Sequence, residues 1–188
     1  MPLRLLYASA SLHIHYDTAH DWLYLDWQGE LTLPVAQAGW LALARCLLAR
    51  RYACVLNSNA QLTRIDPQVA RWLLRGVERF VQLSGVQLLA WVHAPTIHGF
   101  GFARSLATVL PRLNLSLFAD VEQAVSWLAP QAASYASAGH GAHAPEALGQ
   151  LHHLVQALER RQAGPANGAT ARPLPSTGAS PWQPVGAV

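Results

Sequence analysis

The chain has 188 residues, is 52% hydrophobic with seven tryptophans and only 12% charged, and so carries enough apolar material for the core of one domain, with or without an appendage. Its basic side is arginine alone, thirteen against ten acidic residues for a net charge of +3, and the arginines are scattered singly or in pairs; the clustered basic stripe of a nucleic-acid binder is missing, so no nucleic-acid partner is expected. Cys46 and Cys54 alone make no disulfide framework, no apolar run reaches the length of a membrane span, and "LLYA" after Arg4 is too short for a secretory signal; a reducing, cytoplasmic location is the expectation.

In chain order, "SLHIHYD" sets Leu12, Ile14 and Tyr16 on one face and His13 and His15 on the other. "DWLYLDWQG" sets Leu23, Leu25 and Trp27 against Trp22, Tyr24, Asp26 and Gln28. Both have the period of two of half-buried strands, and the short polar turn Asp17–Asp21 makes them an antiparallel hairpin. A helix follows over 33–51, with Thr32 placed to cap it, Pro34 in its first turn and a broad apolar face that includes Trp40, Leu43 and Leu47. "YACVL" is a continuously apolar strand, buried on both sides. Asn57-Ser58-Asn59 then reads as the start of a loop over 57–65, and Asp66-Pro67 as the N-cap and first position of a helix running to Gly85.

"VQLLAWVH" predicts a second buried strand, "APTIHGFGF" a second polar loop, and 103–110 a short helix closed by Pro111. "NLSLF" is a last strand, and Asp120 caps a closing helix through Leu128. The pattern ββαβαβαβα predicts an α/β domain: a mixed, mostly parallel five-stranded sheet with an N-terminal β-hairpin and four helices, over residues 1–129. Residues 130–188 are rich in Ala, Gly and Pro and read as a flexible C-terminal tail. One helix is expected in it near 145–161, where Leu148, Leu151, Val155 and Leu158 form a narrow stripe that could dock on the domain or on a partner; beyond about 164 the composition predicts disorder.

With these segments in order, "YLDWQGELT", "YACVLNSNAQL", "VQLLAWV" and "LSLFADVEQAVSWL" resemble the STAS-like superfamily. That group includes anti-sigma-factor antagonists and small stand-alone bacterial proteins, often grouped with CRAL-TRIO-type lipid-binding domains. The likeness covers roughly residues 7–128 and is one of pattern. It implies a STAS-like fold and a regulatory, protein-binding role. The antagonists carry a phosphorylatable serine at the helix start; here "RIDPQVA" has no hydroxyl, and Ser58 and Thr63 both precede the cap.

Ligands of open α/β sheets bind beyond the carboxyl ends of the strands, where helix N-termini offer free N–H groups. Asn57, Ser58, Asn59 and Arg64 from one loop and His93, Thr96 and His98 from the other are therefore the candidate ligand- or partner-binding residues. The competing reading is that Asn57 and Asn59 only satisfy turn backbone groups. Phe100 and Phe102 of "HGFGF" either line a flexible lip or belong to the core. Nine histidines, including His140, His143, His152 and His153, show no spacing that fixes a tetrahedral metal site, so neither metal nor cofactor is expected. Neither cysteine has an activating histidine beside it in sequence, and no nucleophile elbow is present.

The expectation is thus no enzyme, but a non-catalytic STAS-like regulatory or protein-interaction module. It would meet its partner through the helix ends near 57–75, where Arg71 and Arg75 stand one turn apart, and could form a homodimer through exposed apolar helix surface. The alternative is a small-molecule or lipid-binding domain of CRAL-TRIO type that takes a small anionic or lipid-like ligand between the loops 57–65 and 93–102.

Overall fold

The computed structural model describes residues 2–137 and 144–162. Among them are six strands and six helices: β1 (Leu3–Ala8), β2 (Leu12–Asp17), β3 (Trp22–Leu31), α1 (Leu33–Ala49), β4 (Cys54–Ile65), α2 (Pro67–Leu74), α3 (Val77–Ser84), β5 (Leu88–Val92), α4 (Ile97–Val109), β6 (Asn114–Phe118), α5 (Val121–Ser137) and α6 (Pro145–Gln162). The strands make one sheet in chain order. Pairs β1–β2 and β2–β3 are antiparallel, and β3 to β6 run parallel. Each parallel step needs a helical crossover, supplied by α1, α2 with α3, and α4.

The α/β class, the hairpin and the adjacency of the segments 54–58 and 88–92 match the expectation. The strand count does not. The missed strand, β1, pairs with β2 through a register shift between Leu5 and Tyr7. That irregularity breaks the alternation by which a strand is recognised, and as an edge strand β1 leaves Leu3 and Leu5 exposed.

Two cores flank the sheet. One side carries Leu12, Ile14, Leu23, Leu25 and Trp27 against α1, α2, α3, α4 and α6. The other carries Trp22, Cys54, Leu56, Leu88 and Ala90 against Ala124, Leu128 and Ala132 of α5. On that side α5 lies mainly over β4, β5 and β6, and Trp22 carries the smaller core across to β3. Gly39 of α1 lets the helix approach the sheet: a Cβ there would collide with the Trp27 ring and a Leu12 methyl.

Four boundaries differ from the sequence expectation, each for a local reason. The loop over 57–65 is absent: β4 continues to Ile65, and Asn57, Ser58 and Asn59 are buried in it. The single helix over 66–84 is two, broken at Arg75-Gly76; the apolar stripe Val69, Leu73, Val77, Phe80 crosses the break, so periodicity could not show it. The loop 93–102 is mostly helix, since the Thr96 hydroxyl accepts from the Gly99 N–H at 2.9 Å and starts α4 there. Finally, α5 passes through Pro130, and Ala132 continues the buried stripe of Ala124 and Leu128. Thr32 makes no side-chain cap, whereas Asp66 accepts from the Gln68 N–H as its sequence suggested.

The tail helix is where the leucine stripe placed it. It docks on α1 and α3 and adds Leu151 and Val155 to the larger core, with an Arg45–Glu159 ion pair at its rim. The disorder expected beyond 164 lies outside the described residues.

Candidate functional site

The residues proposed from sequence do not converge. Along β4, alternate side chains go to opposite faces of the sheet. Asn57 accepts from Trp27 Nε1 at 3.0 Å within the larger core, and Asn59 Nδ2 donates to the Val92 carbonyl at 2.9 Å, tying β4 to the end of β5. Ser58 points the other way, toward Tyr24 and Asp26. Arg64 is exposed at the far end of β4, opposite Glu30 of β3. His93 Nδ1 lies 2.9 Å from the Ala94 carbonyl and its ring meets Phe100, while Thr96 is occupied as a helix cap and His98 is exposed. The cleft expected between loops 57–65 and 93–102 is therefore corrected: β4 runs on to Ile65 and α4 begins at Ile97, and Asn57 Oδ1 and Asn59 Nδ2 find their partners inside the sheet rather than in turns. Phe102 is core, and Phe100 is exposed.

Arg71 and Arg75 have a different setting. They stand on a groove of about 560 Å³ between α1, α2, α3 and α6, with Leu33, Trp40, Trp72, Leu154 and Leu158 along its apolar wall. Trp40 and Trp72 meet edge to face, with ring centroids 6.2 Å apart. A third guanidinium, Arg161 of α6, joins Arg71 of α2 and Arg75 at its C-cap, and no carboxylate among the described residues lines the groove. Among the described residues none of the three arginines has an ion-pair partner. Sequence reasoning found two of these cations and missed the third, along with the tryptophans. The signal for Arg161 was the leucine stripe of its helix, which places it near Leu158 once α6 docks.

A second polar cluster crosses β2, β3 and β4 on the side of the sheet opposite the larger core. His13, Asp26 and Ser58 are neighbours in one row across β2, β3 and β4, and His15 and Tyr24 in the next. Burial is the main force pushing the Asp26 carboxyl above its ordinary range, partly countered by the Ser58 hydroxyl and the two histidines. His15 is held below its ordinary value, first by burial and then by His13, and burial raises Tyr24. Gln61 Nε2 donates to Asp26 Oδ2 at 3.3 Å, while buried Oδ1 has no partner of hydrogen-bonding geometry.

This row does not make a nucleophile relay: the carboxylate lies between hydroxyl and imidazole, whereas activation of a hydroxyl needs the imidazole in the middle. No group of three His, Cys, Asp or Glu side chains among the described residues is disposed to hold a metal ion. Burial raises both thiols, Cys54 to about 11, which makes them poor nucleophiles.

No family model matches this chain, and no curated protein does. Among solved structures it is similar to an uncharacterised protein from the DUF3478 family with a SpoIIAA-like fold from Shewanella loihica PV-4. The identity is 16%, over 67% of this chain and 91% of that one, with a TM-score of 0.43. The fold named there is of the STAS-like kind that the sequence pattern resembles. Among the described residues no helix is long and apolar enough to cross a membrane.

Proposed function

We propose that this protein is a non-catalytic binding module whose working surface is the arginine-rimmed groove, and that its occupant is an acidic, amphipathic segment of another protein. The observation that carries this reading is the combination in one concavity of three arginines without ionic partners among the described residues and an apolar wall with two tryptophans. Arginine and tryptophan are the residues that most often dominate binding energy at protein interfaces. Carboxylates at helical spacing on the incoming segment meet the guanidinium forks of Arg71, Arg75 and Arg161, and its apolar face covers Trp40, Trp72, Leu154 and Leu158. Residues 163–188, which follow α6 directly, contain no Asp or Glu, so this chain's own continuation lacks the complementary side-chain charge.

The test is fluorescence anisotropy with a designed helical peptide bearing leucines on one face and glutamates on the other. Wild-type protein binds it, binding weakens as salt rises, and the triple variant R71E/R75E/R161E loses at least about ten-fold in affinity, since charge-assisted hydrogen bonds contribute about 1.5–3 kcal/mol each. Equal binding of a peptide with lysines in place of the glutamates, or indifference to salt, would overturn the reading.

The groove's volume also lies in the range of small-molecule sites, which favours an anionic amphiphile as the second reading. Dodecanoate that saturates the groove below its micellar range, with no binding of the acidic peptide, would decide for that occupant.

A further inference from the structure

Beneath the groove the larger core is incompletely filled around one polar side chain. Two adjacent cavities of about 50 Å³ each border Asn57, and Leu25, Leu43 and Trp91 wall both. Trp40 and Leu73 wall both of them and the outer groove as well, so these two side chains form the partition between groove and interior.

Asn57 is only 5% exposed. Its Oδ1 accepts from Trp27 Nε1 at 3.0 Å. An indole N–H can only donate, so the amide atom facing it must be the oxygen, and the orientation of the side chain is fixed. The Nδ2 amino group is thereby left buried with no partner among the described residues. Besides the tryptophans, whose indole N–H groups can only donate, the other polar side chains on the walls are Ser84 in one cavity and Asn59 in the other. Both are already engaged: Ser84 Oγ donates to the Val81 carbonyl at 2.8 Å, and Asn59 Nδ2 donates to the Val92 carbonyl.

A buried water ordinarily makes about three hydrogen bonds. Here the Asn57 amino group offers it one donor, the indoles on the walls can only donate further, and most of the remaining wall is hydrocarbon. A charged ligand is disfavoured as well, since no counter-charge lines either space.

We infer that the space around Asn57 is a binding site for a small, uncharged, mostly apolar molecule carrying a single carbonyl- or ether-type oxygen. That oxygen accepts from Asn57 Nδ2, the rest of the molecule replaces the missing core packing, and the way in passes between Trp40 and Leu73. A cavity of about 150 Å³ holds benzene in a protein core, and the two spaces of about 50 Å³ each fall short of that together, which limits the ligand to a ring of at most about five atoms that displaces its neighbours slightly. Recognition at this site uses none of the arginines that line the groove above it.

The experiment is an NMR titration of full-length, ¹⁵N-labelled wild-type protein with cyclopentanone and, in parallel, with methylenecyclopentane, which has the same shape and no oxygen acceptor. Cyclopentanone shifts the Asn57 side-chain amide resonances saturably and gives intermolecular contacts to them, while methylenecyclopentane binds about ten-fold more weakly, the difference one neutral hydrogen bond makes. The N57L variant loses that preference if it folds. The R71E/R75E/R161E variant keeps it, which separates this site from the proposed groove function. Equal affinity for the two rings, no saturable shift up to the solubility limit, or contacts from the Asn57 amide to water alone that persist at the highest ketone concentration would each overturn the inference.

Discussion

Asp26 shows how the sheet face opposite the larger core is tuned one side chain at a time. Its raised pKa means that the folded protein holds the carboxyl proton more tightly than the unfolded chain does. Ionising Asp26 therefore costs stability as pH climbs past the ordinary value of 3.8, and the cost remains at neutral pH. His15 has the opposite displacement: its folded form holds the proton less tightly, so stability falls as pH drops below 6.5. D26N is expected to raise Tm at pH 7, with the gain vanishing near pH 3; H15Q is expected to flatten the decline below pH 6.5 and leave Tm at pH 8 unchanged. Thermal melts across that range check both, and a D26N gain that is the same at every pH would assign the effect to something other than ionisation. At the same scale, Asp17 explains the tight hairpin. Fully buried, it accepts from the Ala19 N–H at 2.9 Å and the His20 N–H at 3.3 Å and sits 2.9 Å from His20 Nδ1, while the His20 ring stacks on Trp22.

Among the elements, α6 matters most for the site, because it brings Leu154, Leu158 and Arg161 to the groove from far along the chain. Its attachment is apolar rather than ionic. Leu151 is fully buried in the larger core, whereas the Arg45–Glu159 pair is solvent-accessible on both sides. L151A is accordingly expected to cost about 2–5 kcal/mol in chemical denaturation, the range for a buried leucine reduced to alanine. A double-mutant cycle on Arg45 and Glu159 is expected to give a coupling of no more than about 1 kcal/mol. A large ionic coupling with a small Leu151 effect would mean that α6 is held at its rim and not by its stripe. β4 is the other informative element. Opposite Trp27 it carries one residue more than β3, since Asp26 pairs with Ser58 but Gln28 with Gln61. That bulge returns Leu62 to the larger core, where simple alternation would have put it on the opposite face.

For the molecule as a whole, one sheet shared by two cores couples the layers. Trp22 lies in the smaller core and Trp27 in the larger, both on β3. Thermal or urea unfolding followed by tryptophan fluorescence and by far-ultraviolet circular dichroism is therefore expected to give coincident transitions. Two separated midpoints would show that α5 or α6 leaves the sheet before the rest unfolds. The charge distribution also acts at this scale. A net charge of +3 is modest, but three of the arginines face one groove that contains no carboxylate. Association there is steered by local field rather than by total charge.

What the sequence determined by itself was whatever depends on near neighbours. The period of two in Leu12–Tyr16 and Leu23–Trp27, the Asp66-Pro67 helix start, the αL glycine at Gly85 and the leucine stripe of α6 all express local sterics and a single amphipathic face, and all appear in the structure. The tertiary structure decided where polar side chains find their partners. Asn57, Ser58 and Asn59 carry the composition of a turn, and only Trp27, thirty residues earlier, and Val92, thirty-three later, supply the hydrogen bonds that let the two asparagines lie in a buried strand. The groove was likewise beyond any local pattern: its arginines come from two helices some ninety residues apart in the chain, α2 and α6, and they become one surface when the burial of Leu151 and Val155 brings α6 onto α1 and α3. Burial of apolar area is non-directional, so a sequence shows which face of a helix will be covered, and only the assembled core shows by what.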